Sequence, residues 1–155
     1  MTIRFATGQD IPCLMNLLRQ VEGIHHDIRP DLFRDGGEKY EPETLKTLLA
    51  DENRPVLAAE EDGTVVGYAF CVLEQTQNDP ARLDRRELYL DDLCVDASVR
   101  GKGVAKQLWQ GTVDLAKKLG CDAVTLNVWE GNDRARKFYE NCGLSIRKTF
   151  MEYPL

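Results

Sequence analysis

The chain has 155 residues, 43% hydrophobic and 30% charged, a composition that suits one soluble domain with its own core and excludes a disordered or fibrous chain. Its 26 acidic and 20 basic residues give a net charge of −6, which argues against a nucleic-acid partner and is compatible with a cationic or amine substrate. No apolar run approaches the ~20 residues that cross a bilayer, and the start MTIRFATGQD has no hydrophobic signal core, so neither a membrane partner nor export is expected.

In chain order, residues 2–6 predict a short first strand. Thr7 and Asp10 form an approximate capping box for a helix with Ile11, Leu14, Leu17, Leu18 and Val21 at helical spacing, ending at Gly23. An irregular segment follows, broken by Pro30 and Gly36-Gly37, until Pro42 opens a second helix carrying Leu45, Leu48 and Leu49. Residues 56–60 and 65–73 predict strands joined by the hairpin signal Asp62-Gly63, and a polar loop leads to a third strand at 88–95. These three predict an antiparallel meander. A long helix after Gly103 carries Val104, Leu108, Leu115 and Leu119 inward and stops at Gly120; a strand at 123–128 then makes a right-handed crossover and a parallel pair. A last helix at 134–140 and a final strand at 146–153 complete one domain, 1–155, of α/β class with a mixed sheet.

The five cysteines, Cys13, Cys71, Cys94, Cys121 and Cys142, are odd in number, form no CxxC pair and lie among apolar or small neighbours. They read as free, packed thiols in a reducing cytoplasm. His25 and His26 are the only histidines and no ligand cluster surrounds them, so no metal is expected.

The segment LYLDDLCVDASVRGKGVA carries the most chemistry. A strand ends at Val95, and Arg100, Gly101, Lys102, Gly103, Val104 and Ala105 then open a helix. Glycines there allow close approach of a ligand and leave N–H groups pointing outward at the positive end of the helix dipole, a seat for phosphate. Neither a P-loop nor a dinucleotide fingerprint fits: no Ser or Thr follows Gly-Lys, and Lys106 stands where a third small residue belongs. Two adjacent aspartates, Asp91 and Asp92, lie mid-strand, where Asp is disfavoured, and alternation predicts opposite faces for them.

Arg100, Gly103 and Ala105 resemble the acyl-CoA signature Arg/Gln-x-x-Gly-x-Gly/Ala of the GCN5-related N-acetyltransferase (GNAT) family. Asn132, Ala135, Phe138, Tyr139 and Gly143 resemble that family's second motif, with Leu144 in place of a phenylalanine. The resemblance implies a mostly antiparallel central sheet flanked by helices, with a parallel strand pair at the site of acetyl-CoA, the co-substrate. It implies that the backbone amides of Gly101, Lys102, Gly103, Val104, Ala105 and Lys106 hold the pyrophosphate and that the backbone of Leu93, Cys94 and Val95 pairs with the pantetheine arm. Asn132 would contact the cofactor, cap the last helix, or do both. Tyr139, on bare sequence a core aromatic, would stabilise the departing thiolate.

The fragment Tyr89-Leu90-Asp91-Asp92-Leu93 is similar to the acidic strand of diamine acetyltransferases, which implies Asp91 as the base for the acceptor amine and Asp92 as a structural or water-holding second. The irregular segment would build the acceptor pocket from Glu22, His25, His26, Arg29, Phe33 and Tyr40. The expected function is acetyl-CoA-dependent transfer of acetyl directly to a primary amine, a small molecule in preference to a peptide; the alternative is a CoA-binding sensor or interaction module without turnover. A homodimer is compatible with both.

Overall fold

The computed structural model describes residues 1–155. Five strands, β1 (Thr2–Phe5), β2 (Val56–Glu61), β3 (Thr64–Thr76), β4 (Arg85–Val95) and β5 (Ala123–Leu126), form one sheet in the order β1-β2-β3-β4-β5. All neighbours are antiparallel except β4 and β5, which run parallel. The helices are α1 (Ile11–Ile28), α2 (Pro42–Leu49), α3 (Val104–Lys118) and α4 (Asp133–Asn141). The fold class expected from the motifs is the one observed.

The period-2 pattern of the strands divides the core in two. Val56, Ala58, Val65, Tyr68, Phe70 and Cys94 pack under α1 and α2, whose buried residues include Leu14, Leu17, Leu18, Val21, Leu45 and Leu48. Leu57, Ala59, Ala69, Cys71, Leu88 and Leu90 pack on the other face with Val104, Leu108 and Ala116 of α3. Helix α3 lies close to the sheet because Gly67 has no side chain: a Cβ there would stand 2.9 Å from the Cys94 carbonyl oxygen and 3.0 Å from Leu108 Cδ1. The β2–β3 turn has Asp62 and Gly63 both at positive φ, 50° and 77°, as a tight hairpin of right-handed strands requires.

Two expectations fail. Helix α1 passes through Gly23 and ends at Ile28. A glycine inside a helix costs only about 1 kcal/mol, and tertiary contacts beyond it, among them the His25 ring 5.0 Å from Phe33, hold the last turn. The final strand expected at 146–153 is absent: residues 145–155 have no regular secondary structure and make no main-chain hydrogen bond to β5, and a strand-like composition does not form a strand without a paired neighbour.

Candidate active site

The seam between β4 and β5 opens halfway along. Parallel pairing runs from Glu87↔Ala123 to Leu90↔Leu126 and stops. At that level the β3–β4 register slips, with Phe70 opposite Asp92 and Cys71 opposite Leu90, so Asp91 is the extra residue of a β-bulge. Beyond it, Leu93, Cys94 and Val95 pair only with β3 and turn a free main-chain edge towards the gap.

The bulge also reverses the faces of the strand. Before it, Leu88 and Leu90 point under α3; after it, Cys94 points under α1 while Leu93 and Val95 pack with the α3 cluster. The two aspartates therefore do not lie on opposite faces. Lys39 Nζ stands 2.8 Å from Asp91 Oδ2 and 3.9 Å from Asp92 Oδ2. A one-residue slip in a period-2 strand is the physical reason.

Their environments differ nonetheless. Asp92 is buried and accepts a hydrogen bond from the Tyr68 hydroxyl at 2.9 Å. Burial pushes its carboxyl above the usual range, against the pull of Lys39 and Tyr68. Asp91 keeps a quarter of its side chain exposed. Burial disfavours the Lys39 charge, but Asp92 and Asp91 outweigh it and hold the ammonium protonated above its ordinary pKa. Tyr40 lies beside this group, 5.6 Å from Lys39 Nζ to its ring centre and 5.9 Å from the Phe70 ring.

At the other end of the gap, Gly101 and Gly103 adopt φ of 85° and 82°, and nothing within 4 Å would meet a Cβ on either. These conformations carry the chain from the turn into α3. The Lys102 amide donates to the Val99 carbonyl, but those of Gly101, Gly103, Val104, Ala105 and Lys106 donate to no acceptor in the chain; the first α3 bond runs from Gln107 N to the Gly103 carbonyl. Arg100 Nε donates to the Val95 carbonyl at 3.3 Å and ties this loop to the end of β4.

Asn132 caps α4, its side-chain oxygen accepting from the Ala135 amide at 3.2 Å. Tyr139 packs against Trp109 and Phe138, with ring centres 6.0 and 5.1 Å away. Burial pushes its phenol well above the ordinary value, and Asp92 adds to the shift. The hydroxyl is thus a donor throughout the neutral range.

Part of the expected acceptor pocket comes together. His25 Nδ1 lies 3.6 Å from Glu22 Oε1, His26 Nδ1 stands 2.8 Å from the Phe33 carbonyl oxygen, and Phe33 meets Trp129 edge-on at 5.3 Å. Arg29 turns away, to Asp31 and Glu152. Lys39, Tyr68 and Trp129 were not singled out from the sequence. Tyr68 carried a usable signal, since a tyrosine in an otherwise apolar strand needs a partner for its hydroxyl; Lys39, one charge in an irregular stretch, carried none.

The fold and the gap together define an α/β protein whose sheet is opened at one parallel seam beside a glycine-rich helix start. Residues 21–144 match the Acetyltransferase (GNAT) family, and the chain belongs to that family. It is 29% identical over 158 residues to the uncharacterised N-acetyltransferase YhfO of Bacillus subtilis, covering 100% of this chain and 97% of the relative. It is 33% identical over 101 residues to the uncharacterised N-acetyltransferase Rv2669 of Mycobacterium tuberculosis, covering 65% of this chain and 59% of that one. The chain thus spans less than two thirds of the mycobacterial relative. A crystal structure of a variant of the BH1408 protein from Bacillus halodurans superposes with a TM-score of 0.95 at 33% identity, over 100% of this chain and 99% of that one.

Proposed function

We propose that the protein transfers acetyl from acetyl-CoA directly to a primary amine. The observation that carries the reading is the Lys39 ammonium held against Asp91 and Asp92 at the bulge: this end of the gap is already built to hold an alkylammonium. The other end fits the donor. Five unpartnered amides at the start of α3 suit a pyrophosphate, and the free edge at Leu93, Cys94 and Val95 suits the amide groups of a pantetheine arm. When bound, acetyl-CoA supplies an activated acyl group and a thiolate leaving group.

The chain's residues then have separate tasks. The acceptor enters as an ammonium, displaces Lys39 from Asp91, and loses a proton to the Asp91 carboxylate, directly or through a water. Asp92, buried and accepting a hydrogen bond from Tyr68, keeps the acidic end in place. Tyr139 donates a hydrogen bond to the developing thiolate. Its raised pKa makes complete proton transfer to a thiolate less favourable than for a free phenol, so stabilisation by the hydrogen bond is its contribution. No nucleophilic side chain is needed; burial lifts the Cys94 thiol to about 12, which keeps it from acting as a thiolate.

Small amines, diamines first, are the favoured acceptors, on the likeness of the Asp91-Asp92 strand to diamine acetyltransferases. A fold neighbour at 20% identity and TM-score 0.76 is an aminoglycoside acetyltransferase solved with sisomicin. A peptide acceptor is the runner-up: N-alpha-acetyltransferase 30 of Saccharomyces cerevisiae is 32% identical over 90 residues, 58% of this chain and 48% of that one. The five unpaired cysteines support a reducing, cytoplasmic setting. The Lys39–Asp91 ion pair also favours one other reading, a CoA-binding module whose acceptor site is closed by its own lysine. A panel of diamines, aminoglycosides and peptides with acetyl-CoA, followed by thiol release and by the mass of the product amine, separates the two. Thiol release matched by an acetylated amine is expected; CoA binding with no turnover on any amine would establish the module instead.

A further inference from the structure

Lys39 is the one lysine of the chain paired with carboxylates, and its partners are the two aspartates at the head of the gap. Its position is fixed from both sides. Glu38, just before it, is tied to Arg19 of α1 at 2.8 Å. Tyr40, just after it, packs on the core under α1 with its ring 5.9 Å from that of Phe70. Gly36, at φ 65°, turns the chain into this stretch. Lys46, Lys117 and Lys137, by contrast, are exposed on helices.

The ammonium stands where acetyl transfer needs an acceptor. Pairing of β4 with β5 ends at Leu90↔Leu126, and the edge suited to a pantetheine arm runs from Leu93 to Val95. An arm that enters from the start of α3 meets Val95 first and Leu93 last, so its acyl end comes towards the bulge. There Lys39 Nζ donates to Asp91 Oδ2 at 2.8 Å. An amine fixed beside a proton acceptor at the end of the donor's path has the proximity that a free amine must gain by binding.

We propose that Lys39 is a self-acetylation site: the protein acetylates its own Lys39 Nζ, and the modification opens the acidic end of the gap to a free amine. The inference rests on the acetyl-transfer reading of the same site. The step needs no further reagent. One proton of the ammonium passes to Asp91 and on to water. The amine nitrogen bonds to the acetyl carbonyl carbon, and the carbon–sulfur bond breaks. A second proton goes from nitrogen to the departing thiolate, which leaves a free thiol and an N-acetyl-lysine. The ion pair that places the amine also holds its proton, so the reaction is slow and occurs once per chain. Acetyl-lysine is neutral and can no longer pair with the two carboxylates. An incoming ammonium then supplies a missing partner instead of competing with a resident one.

The test is mass mapping of the full chain after incubation with acetyl-CoA and no amine, beside the same chain unfolded in urea. One acetyl per folded chain is expected, on Lys39, at a first-order rate that dilution of the protein does not change. The unfolded chain should show no preference for Lys39 over Lys46, Lys117 or Lys137. Tyr139→Phe should slow the labelling of Lys39 in the same proportion as turnover of a free amine. Calorimetry without acetyl-CoA reads the consequence: a diamine should bind several-fold more tightly to the acetylated chain and to Lys39→Gln than to Lys39→Arg, which keeps the charge. Acetylation of free amines while Lys39 keeps its own amine would overturn the self-acetylation and leave the transfer reading standing; no acetylation of either, with acetyl-CoA bound, would overturn both. Labelling spread evenly over the exposed lysines, or undiminished in Tyr139→Phe, would be uncatalysed and would equally overturn it. Weaker diamine binding after acetylation would overturn the opening of the site.

Discussion

At the phosphate end of the gap the chain presents main-chain donors that have no partner, whereas at the acidic end nearly every polar side chain already has one. The amides from Gly103 to Lys106 are free, while Lys39 holds Asp91 and Tyr68 holds Asp92. A rigid backbone seat needs no rearrangement to take its ligand, since its geometry is set by two glycines and a helix start. A side-chain site with internal partners must exchange one of them for the ligand, which lowers affinity and makes it selective for groups that replace the lost contact. Donor binding should therefore respond to backbone changes and acceptor binding to charge.

Four substitutions sharpen that contrast, taken from the largest expected effect. Tyr139→Phe keeps the ring among Trp109 and Phe138 and removes only the hydroxyl; kcat should fall tenfold to a thousandfold, about 1.4 to 4 kcal/mol in the barrier, with acetyl-CoA affinity little changed. Steady-state kinetics on the variant check this, and parent-like turnover would return Tyr139 to the core.

Gly103→Val puts a β-branched residue at φ 82°, which only glycine adopts at low cost. Acetyl-CoA at a hundred times its Kd should stabilise the parent by about 2.7 kcal/mol, and the variant should fold and lose that rise in Tm. A full shift in the variant would detach the loop from the donor.

Lys39→Met removes the internal competitor from Asp91. The KM for an amine acceptor should fall several-fold while acetyl-CoA binding stays the same; a higher KM would mean that Lys39 organises the two carboxylates rather than standing in for substrate.

The smallest effect lies outside the gap and is a control on the electrostatics. Arg4 donates to both carboxylate oxygens of Asp10, at 2.8 and 2.9 Å, and holds its pKa down at about 2 against a normal 3.8. A depressed acid stabilises the fold above its unfolded pKa and loses that contribution as pH falls through the folded value. Asp10→Asn should cost about 1 kcal/mol at neutral pH, less than the bare shift implies because Arg4 is partly exposed and screened. The gap between parent and variant should close between about pH 4 and pH 2. Urea unfolding across that range measures it.

How legible these features were follows from their physics. The hairpin at Asp62-Gly63, the crossover through α3 and the glycine loop are local, and each was readable from a few adjacent residues. The face of Asp92 was not, because alternation assumes an unbroken strand and the bulge at Asp91 breaks it. Two poor strand formers side by side are what such a bulge leaves in a sequence, a signal available but easily read as alternation. Lys39 reaches the aspartates across 52 residues of chain, and no spacing rule reports a contact of that kind. The strand expected at 146–153 is absent from the sheet. Composition alone misled there, since whether a segment pairs depends on the whole sheet and not on its own residues.

The most direct measurement is the pH–rate profile of Asp91→Asn beside Asp92→Asn with one good amine acceptor. If Asp91 takes the proton of the bound ammonium, its variant should lose most of its kcat/KM below the amine's pKa, and the deficit should shrink as pH rises and the amine arrives neutral. Asp92→Asn, whose amide oxygen can still accept from Tyr68, should show a smaller defect without that trend. A flat deficit in Asp91→Asn, or the pH-dependent one appearing in Asp92→Asn, would contradict Asp91 as the base.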